Sequence, residues 1–317
     1  MSAPLIIALP SKGRLKEQAE AWLADCGFEL SGGGGRGYSA GIGGLPGAQV
    51  QFLSASAIAG ALEAGEVHIG VTGEDLLREL GETIEERVMM LRPLGFGRAD
   101  VVVAAPQSWL DVETMADLEA VAQAFLGRTG GRLRVATKYA VLTRAFFAQA
   151  GIADYRIVGS EGATEGAPAA GAAEVIVDIT TTGATLAANH LKVLQDGVIL
   201  KSQAGLCAAL SARWSAHQLA GARRLLSVVE ARARAKRQAT LIWPAEQDGA
   251  AQAPTQAFVD RGASRRANGM LLDSLDLIDA GQALAVAGIG PVTAARPDYV
   301  FAPQCAAADK LEAVLGR

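Results

Sequence analysis

Histidine and cysteine are nearly missing from this chain, each occurring three times in 317 residues. Cys26, Cys207 and Cys305 are scattered, with no C-x-x-C spacing and no neighbouring histidine, so neither a zinc site nor a disulfide framework is expected. Buried structural thiols are the remaining reading. His68, His190 and His217 lie equally far apart, in apolar or helical surroundings that suit satisfied structural roles rather than catalysis. Apolar runs never reach the about eighteen residues that a membrane helix needs. Charge of either sign is also not in excess: 29 basic against 33 acidic residues leave a formal net charge of -4. No global field then draws the protein to nucleic acid or to an anionic membrane, and an anionic ligand must be held by local groups. The first apolar run, Leu5 to Leu9, has no cationic stretch before it and no small-residue cleavage site after it, which reads as a soluble, cytoplasmic protein.

What the chain does have is apolar material, 50% of residues with only 5% aromatic, the composition of an α/β protein with buried strands and Ala-lined helices. Short β-branched runs alternate with helical stretches. Strands are expected at Leu5–Leu9, His68–Val71, Asp100–Ala105, Arg134–Thr137 and Val175–Ile179, with helices over Leu15–Cys26, Glu74–Leu80 and Val141–Ala150. Strand followed by helix, repeated, argues for parallel sheet. Nine glycines between Ser31 and Gly47 read as a loose hairpin or mobile connection, and Leu94–Arg98 as a crossover or hinge between two strand–helix groups. After a strand at Val198–Ser202 comes a long helix over Ala216–Gln238 whose cations, among them Arg223, Arg224, Arg232, Arg234, Lys236 and Arg237, read as a solvated face. A further unit follows, with strands expected at Ala239–Trp243 and Asp298–Ala302 and a last helix from Ala306 to Leu315.

The segment that carries chemistry is Asp178-Ile179-Thr180-Thr181-Thr182-Gly183-Ala184-Thr185-Leu186. It leaves a buried strand and opens a helix, so backbone N–H groups and the positive helix end point into one concavity, with the Thr182 and Thr185 hydroxyls as extra donors. Gly183 lets the backbone approach a ligand or take a positive φ. Asp178, at the strand end, can accept hydrogen bonds from the two hydroxyls of a ribose whose phosphate sits in the turn. The same residues also spell an ordinary helix N-cap.

Asp-x-x-x-Thr-Gly-x-Thr resembles the phosphoribosyl pyrophosphate loop of phosphoribosyltransferases. The wider pattern of Glu165, Gly171, Ala173, Ile176, Asp178 and Thr182-Gly183-Ala184-Thr185-Leu186 resembles the signature of the ATP phosphoribosyltransferase family. Pro10-Ser11-Lys12-Gly13-Arg14-Leu15 and Gly70-Val71-Thr72-Gly73-Glu74-Asp75-Leu76 are similar to two further turns of that family. The resemblance covers about residues 4 to 210.

It implies an α/β fold with two lobes of the type II periplasmic-binding-protein kind plus a smaller C-terminal α+β domain. Residues 1–98 and 183–212 would form lobe I, 99–182 lobe II, and 213–317 a linker helix and C-terminal domain. The implied activity transfers the phosphoribosyl group of phosphoribosyl pyrophosphate to N1 of ATP with release of pyrophosphate, the first step of histidine biosynthesis, with no nucleophilic side chain. The implied contacts to phosphoribosyl pyrophosphate are Glu165, Asp178, Thr181, Thr182, Gly183, Ala184 and Thr185. Those to ATP or pyrophosphate are Lys12, Gly13, Arg14, Glu74, Asp75, Thr137, Lys138 and Tyr139. Mg²⁺ would be held mainly by the substrate pyrophosphate.

Two departures stand out. Leu53-Ser54-Ala55-Ser56-Ala57-Ile58 lies where the family carries an arginine and an aspartate, and Glu174 where it usually has aspartate. Long family members end in a β-α-β-β-α-β domain that binds histidine and inhibits the enzyme. Here the last element reads as a helix with no closing strand after it, and even with a strand placed at Gln282–Ala287 the match to that order is poor. The resemblance also implies homo-oligomers and leaves room for a separate regulatory subunit. A phosphoribosyltransferase for another base, and a two-lobed binding module without catalysis, are the competing readings of the same residues.

Overall fold

A computed structural model of the chain describes residues 3–32, 39–160 and 162–316. Residues 33–38, the middle of the glycine-rich stretch, lie outside the described residues. The chain divides into two compact units, Met1–Gln218 and Leu219–Arg317.

The first unit holds two sheets. Its opening elements are β1 (Leu5–Pro10), α1 (Gly13–Asp25), β2 (Leu30–Ser31), β3 (Ser39–Ile42), β4 (Ala48–Leu53), α2 (Ala55–Ala64), β5 (Ile69–Gly73), α3 (Glu74–Arg78) and β6 (Val88–Pro93). The chain then crosses into β7 (Ala99–Pro106), α4 (Met115–Thr129), β8 (Leu133–Thr137), α5 (Ala140–Gln149), β9 (Tyr155–Gly159), β10 (Val175–Thr180), α6 (Ala184–Ala188) and β11 (Leu191–Ser202), and returns as β12 (Ala204–Ala209). Among the described residues the first sheet runs β2-β3-β4-β1-β5-β12-β6 and the second β11-β7-β10-β8-β9. Two mixed α/β lobes joined by two crossings of the chain form a type II periplasmic-binding-protein-like fold.

The helices start and stop where local chemistry dictates. Ser54 caps α2 by accepting the Ala57 N–H at 3.2 Å, and the helix ends at Gly65, whose φ of +73° and approach to the Ser211–Ala212 backbone leave no room for a Cβ. Thr114 and Asp117 form a reciprocal capping box at the start of α4. Ile58, Leu62 and Val67 pack with Ile84 and Val88 under the first sheet, while Val101, Val103, Leu118, Val135 and Phe147 make the core of the second lobe.

Several expectations change. The sheets are mixed, not parallel: β12 is antiparallel to both β5 and β6, and β7 is antiparallel to both β10 and β11. The return to the first sheet comes at Ala204 rather than at residue 183. α6 packs on β10 and β11, and β11 forms a ladder with β7 from Leu191↔Pro106 to Ser202↔Ala99, so 183–202 belong to the second lobe. The boundary of the C-terminal unit likewise falls after Gln218 rather than at 213.

A long helix, α7 (Ala216–Ala235), runs from the end of the first unit through the start of the second. The second unit continues with β13 (Gln238–Ile242), α8 (Gln252–Asp260), β14 (Ser264–Arg266), β15 (Gly269–Asp273), α9 (Leu277–Val286), β16 (Thr293–Ala295) and α10 (Ala306–Val314). Its sheet, β14-β15-β13-β16, is antiparallel throughout. This is a β-α-β-β-α-β order after all, because the closing strand β16 precedes the last helix. Gln282–Ala287 is not a strand: Ala280 and Leu284, one turn apart, bury the inner face of α9. Asp298–Ala302 is not a strand either. Two of its carbonyls are taken by guanidinium groups, Arg232 to Asp298 O at 3.0 Å and Arg234 to Val300 O at 3.3 Å, and the Val300 N–H donates to Ala231 O at 3.0 Å, so the segment bonds to α7 instead of to a strand. Arg232 and Arg234 of α7 are therefore matched rather than simply solvated, and Arg223 adds contacts to Asp309 and Glu312 at 2.8 Å each.

All three cysteines are buried free thiols, and burial pushes Cys207 up to about 12, which keeps it unreactive. Among the described residues no helix is long and apolar enough to cross a membrane.

One buried and one partly buried polar group stabilise the first unit in ways that can be measured. His68 accepts the Ile6 N–H through Nδ1 at 3.1 Å, faces Arg213 O through Nε2 at 3.2 Å and packs edge-on against Trp214. Burial lowers its pKa from 6.5, against the pull of Arg213 and Gln218. The folded chain thus favours the neutral ring, so the stabilisation is complete above 6.5 and is lost as pH falls below it. We expect the urea midpoint to fall between about pH 7.5 and about pH 5.5 by more in the wild type than in His68→Gln; equal falls would place the proton elsewhere. Glu174 accepts the Arg134 amide at 2.7 Å and its Nη2 at 2.5 Å. Burial pushes its carboxyl up, but the Arg134 contacts outweigh this and hold it below the usual carboxylate range. Glu174→Ala should cost about 1–3 kcal/mol of unfolding free energy in a denaturant titration, and an unchanged midpoint would show the pair to be inconsequential.

Candidate functional site

A cleft of about 580 Å³ opens between the two lobes of the first unit. From the first lobe it receives Arg14, Leu15 and Gln18 of α1, Ala55 at the start of α2, and Gly73, Asp75 and Leu76 around the start of α3. The crossing segment supplies Gly95 to Ala99, and the second lobe supplies Lys138, Tyr139, Ile179 and Thr181. Beside it lies a more polar recess of about 430 Å³ that shares Arg98, Ala99 and Thr181 and adds Asp100, Thr180, Lys201, Ser202 and Gln203. Strand ends and helix starts converge here, as open α/β sheets require of a ligand crevice.

The Thr-rich turn stands at the margin of this cleft. Thr181 lines it and donates its hydroxyl to Arg98 O at 3.2 Å, across the crossing segment. Thr182, Gly183, Ala184 and Thr185 lead on into the short helix α6 without lining the cleft. Gly183 has φ +75°, the positive value its place in the turn suggested, and its N–H is held by Thr180 Oγ1 at 2.8 Å. The Ala184 N–H reaches Thr182 Oγ1 at 3.4 Å. The amides of the turn thus lean on neighbouring hydroxyls, which can rotate to release them.

Asp178 comes within electrostatic reach of both Glu165 and Lys138. Burial pushes the Asp178 carboxyl above the usual carboxylate range; the Ile179 amide and Lys138 oppose this, and Glu165 adds to it. Lys138 is exposed, with Nζ 4.9 Å from the centre of the Tyr139 ring. Lys12, Gly13 and Arg14 are exposed at the start of α1, where Gly13 takes φ +71°.

Four sequence-based candidates prove to have their polar groups engaged within the protein. Glu74 pairs with Arg78 at 2.8 Å and lies off the cleft wall. Thr137, buried, accepts the Tyr139 N–H at 2.8 Å. Tyr139, whose hydroxyl is pushed up by burial and by Asp75, donates to Asp75 Oδ2 at 2.7 Å. Asp75 Oδ1 accepts from Ser202 at 2.7 Å. Asp75 and Tyr139 still line the cleft, but as its wall, because their hydrogen-bonding atoms point at each other. Conversely, Arg98, Lys201 and Gln18 face open space without having been singled out. Arg98 was visible only as the cation ending a glycine-rich crossing, and Lys201 as one residue of a strand.

Where the arginine and aspartate were missed in the sequence, Ser54 serves as a helix cap and Ala55 as a small residue of the cleft wall. Among the described residues no group of three His, Cys, Asp or Glu side chains is arranged to hold a metal ion.

Comparison with known proteins places these observations. The family model described as HisG: ATP phosphoribosyltransferase matches residues 54–229. An ATP phosphoribosyltransferase of Caulobacter vibrioides is 66% identical over 316 residues, covering 99% of both chains. One of Afipia carboxidovorans is 46% identical over the full length of both. Among solved structures, the ATP phosphoribosyl transferase (HisG:HisZ) complex from Thermotoga maritima matches with a TM-score of 0.54 at 24% identity, covering 71% of this chain and 98% of that one, a likeness of fold. With a family model over more than half its length and relatives matched end to end, the chain belongs to the ATP phosphoribosyltransferase family.

Proposed function

We propose that the interlobe cleft is where this enzyme, an ATP phosphoribosyltransferase catalysing the first step of histidine biosynthesis, brings its two substrates together. The observation that carries this is the convergence of Arg14, Arg98 and Lys138 on one cleft bordered by the Thr181–Thr185 turn. In a chain of net charge -4 such a local cluster of cations is what a polyanion needs.

In this reading Thr181, Thr182, Gly183, Ala184 and Thr185 receive the 5′-phosphate, the turn hydroxyls swinging from the amides they now hold. Asp178 and Glu165 accept the ribose hydroxyls. A raised Asp178 carboxyl fits that task, since hydrogen-bond donors from a sugar compensate its burial. Lys12, Gly13 and Arg14 meet the pyrophosphate at the positive end of α1, and Lys138 meets ATP. As the ribose C1–O bond breaks, these cations offset the charge growing on the leaving pyrophosphate. Adenine N1 forms the new bond to C1 with its own lone pair, so positioning of two polyanions supplies most of the acceleration.

Mg²⁺ belongs to the same reading, carried on the substrate's phosphate oxygens, which are the hard ligands it prefers. When bound it withdraws charge from the leaving group. We further read the enzyme as cytoplasmic and homo-oligomeric, the latter in view of Leu275 and Val286, 89% and 90% exposed on the second unit. The β-α-β-β-α-β order of that unit favours an inhibitory histidine site within the chain over reliance on a separate regulatory subunit.

Formation of the N1-substituted adenine product from ATP and phosphoribosyl pyrophosphate by the purified chain, followed by its absorbance, tests the activity. Thr182→Glu or Gly183→Glu should abolish phosphoribosyl pyrophosphate binding in isothermal titration while leaving the fold intact; unchanged affinity removes the turn from the site. Histidine at millimolar concentration should slow steady-state turnover, and a flat response would take regulation away from the second unit.

A further inference from the structure

The short helix α3 of the first lobe presents two carboxylates one turn apart, Asp75 and Glu79, and both reach across to the start of α5 in the second lobe. Asp75 Oδ2 accepts the Tyr139 hydroxyl at 2.7 Å. Its Oδ1 accepts from Ser202, whose oxygen in turn accepts the Asp75 N–H at 3.1 Å. Glu79 accepts the Val141 N–H through Oε1 at 2.9 Å and the Leu142 N–H through Oε2 at 3.1 Å. The N-cap residue of α5, Tyr139, supplies no side-chain cap of its own. The first turn of α5 is therefore capped from the other lobe, where a carboxylate also complements the helix dipole.

What this joint holds in place is the residue before it. Tyr139 is wholly buried, its N–H held by Thr137 and its carbonyl by Thr143 at 2.5 Å. Lys138 lies against the face of that ring, with Nζ exposed to the cleft. A ring pinned at its hydroxyl end is a fixed backing for the lysine. A ring released at that end lets both ring and amine drift from the cations of the first lobe.

We propose that Asp75 and Glu79 are positioning residues: through Tyr139 and the first turn of α5 they fix Lys138 where the phosphates of ATP are bound. The inference rests on the reading above that Lys138 meets ATP. It gives the carboxylates of α3 a task that needs no contact with substrate or metal.

The test is a set of steady-state measurements on the full chain with Tyr139→Phe, Lys138→Met and the double variant. Each single change should raise KM for ATP about tenfold, equivalent to about 1.4 kcal/mol, with kcat less affected, the pattern of lost uniform binding. The double variant should be no worse than Lys138→Met alone, because the hydroxyl acts through the amine. Should Tyr139→Phe fold poorly, Glu79→Gln, which leaves the ring and its burial intact, must show the same lack of additivity with Lys138→Met. Effects on KM that multiply would make the joint merely structural and overturn the proposal. So would an unchanged KM in Lys138→Met, and that result would leave the phosphoribosyl pyrophosphate titrations of the Thr182 variant to judge the site itself.

Discussion

Burying a carboxylate costs several kcal/mol unless its oxygens are paired, and Asp75 is only 7% exposed. Its partners both come from the second lobe: Tyr139 from the start of α5 and Ser202 from the end of β11. Separating the lobes at this point would leave a carboxylate and two hydroxyls without partners at once. The interlobe geometry, and with it the cleft, hangs on that constraint. Glu79 extends it by supplying the helix cap that α5 lacks.

The electrostatics of the cleft follow from the same economy. A protein with almost balanced charge handles two polyanionic substrates only by concentrating cations locally, and Arg14, Arg98 and Lys138 come from three separate stretches of chain. The carboxylates near them are either paired within the protein, as Asp75 is, or burdened by burial, as Asp178 is. In the proposed site a ribose bringing hydroxyl donors would relieve the second kind, while the first kind holds walls together. Residues of one chemical type thus divide according to what already satisfies them.

Much of the lobe architecture was legible in local pattern. The apolar runs at β1, β5, β7, β8 and β10 announced themselves because a strand buried on both faces has no polar alternation to hide it. The Thr-Gly-x-Thr turn was legible as well, and so was the freedom of Gly183 to take the positive φ it has. The mixed sheets were not. β12 pairs with β5 and β6 across more than a hundred residues of chain, and nothing in Ala204–Ala209 says which neighbour it will find or in which direction. The short strand β16, fully exposed, carries no burial pattern to read. Asp298–Ala302 looks like a strand until Arg232 and Arg234 take two of its carbonyls.

Sequence by itself determined the family of this protein, its α/β class and the Thr-Gly-x-Thr turn that follows β10, because each depends on residues close together in the chain. Tertiary structure alone decided which polar groups remain available. Asp75, Thr137 and Tyr139 read as ligand contacts when each is considered where it stands in the chain, and become mutual partners once α3 and α5 meet. Arg98 and Lys201 read as punctuation and become lining of the cleft and the recess beside it. Hydrogen-bonding capacity is consumed in three dimensions, so what a side chain has left for a substrate is a property of its neighbours and not of its place in the sequence.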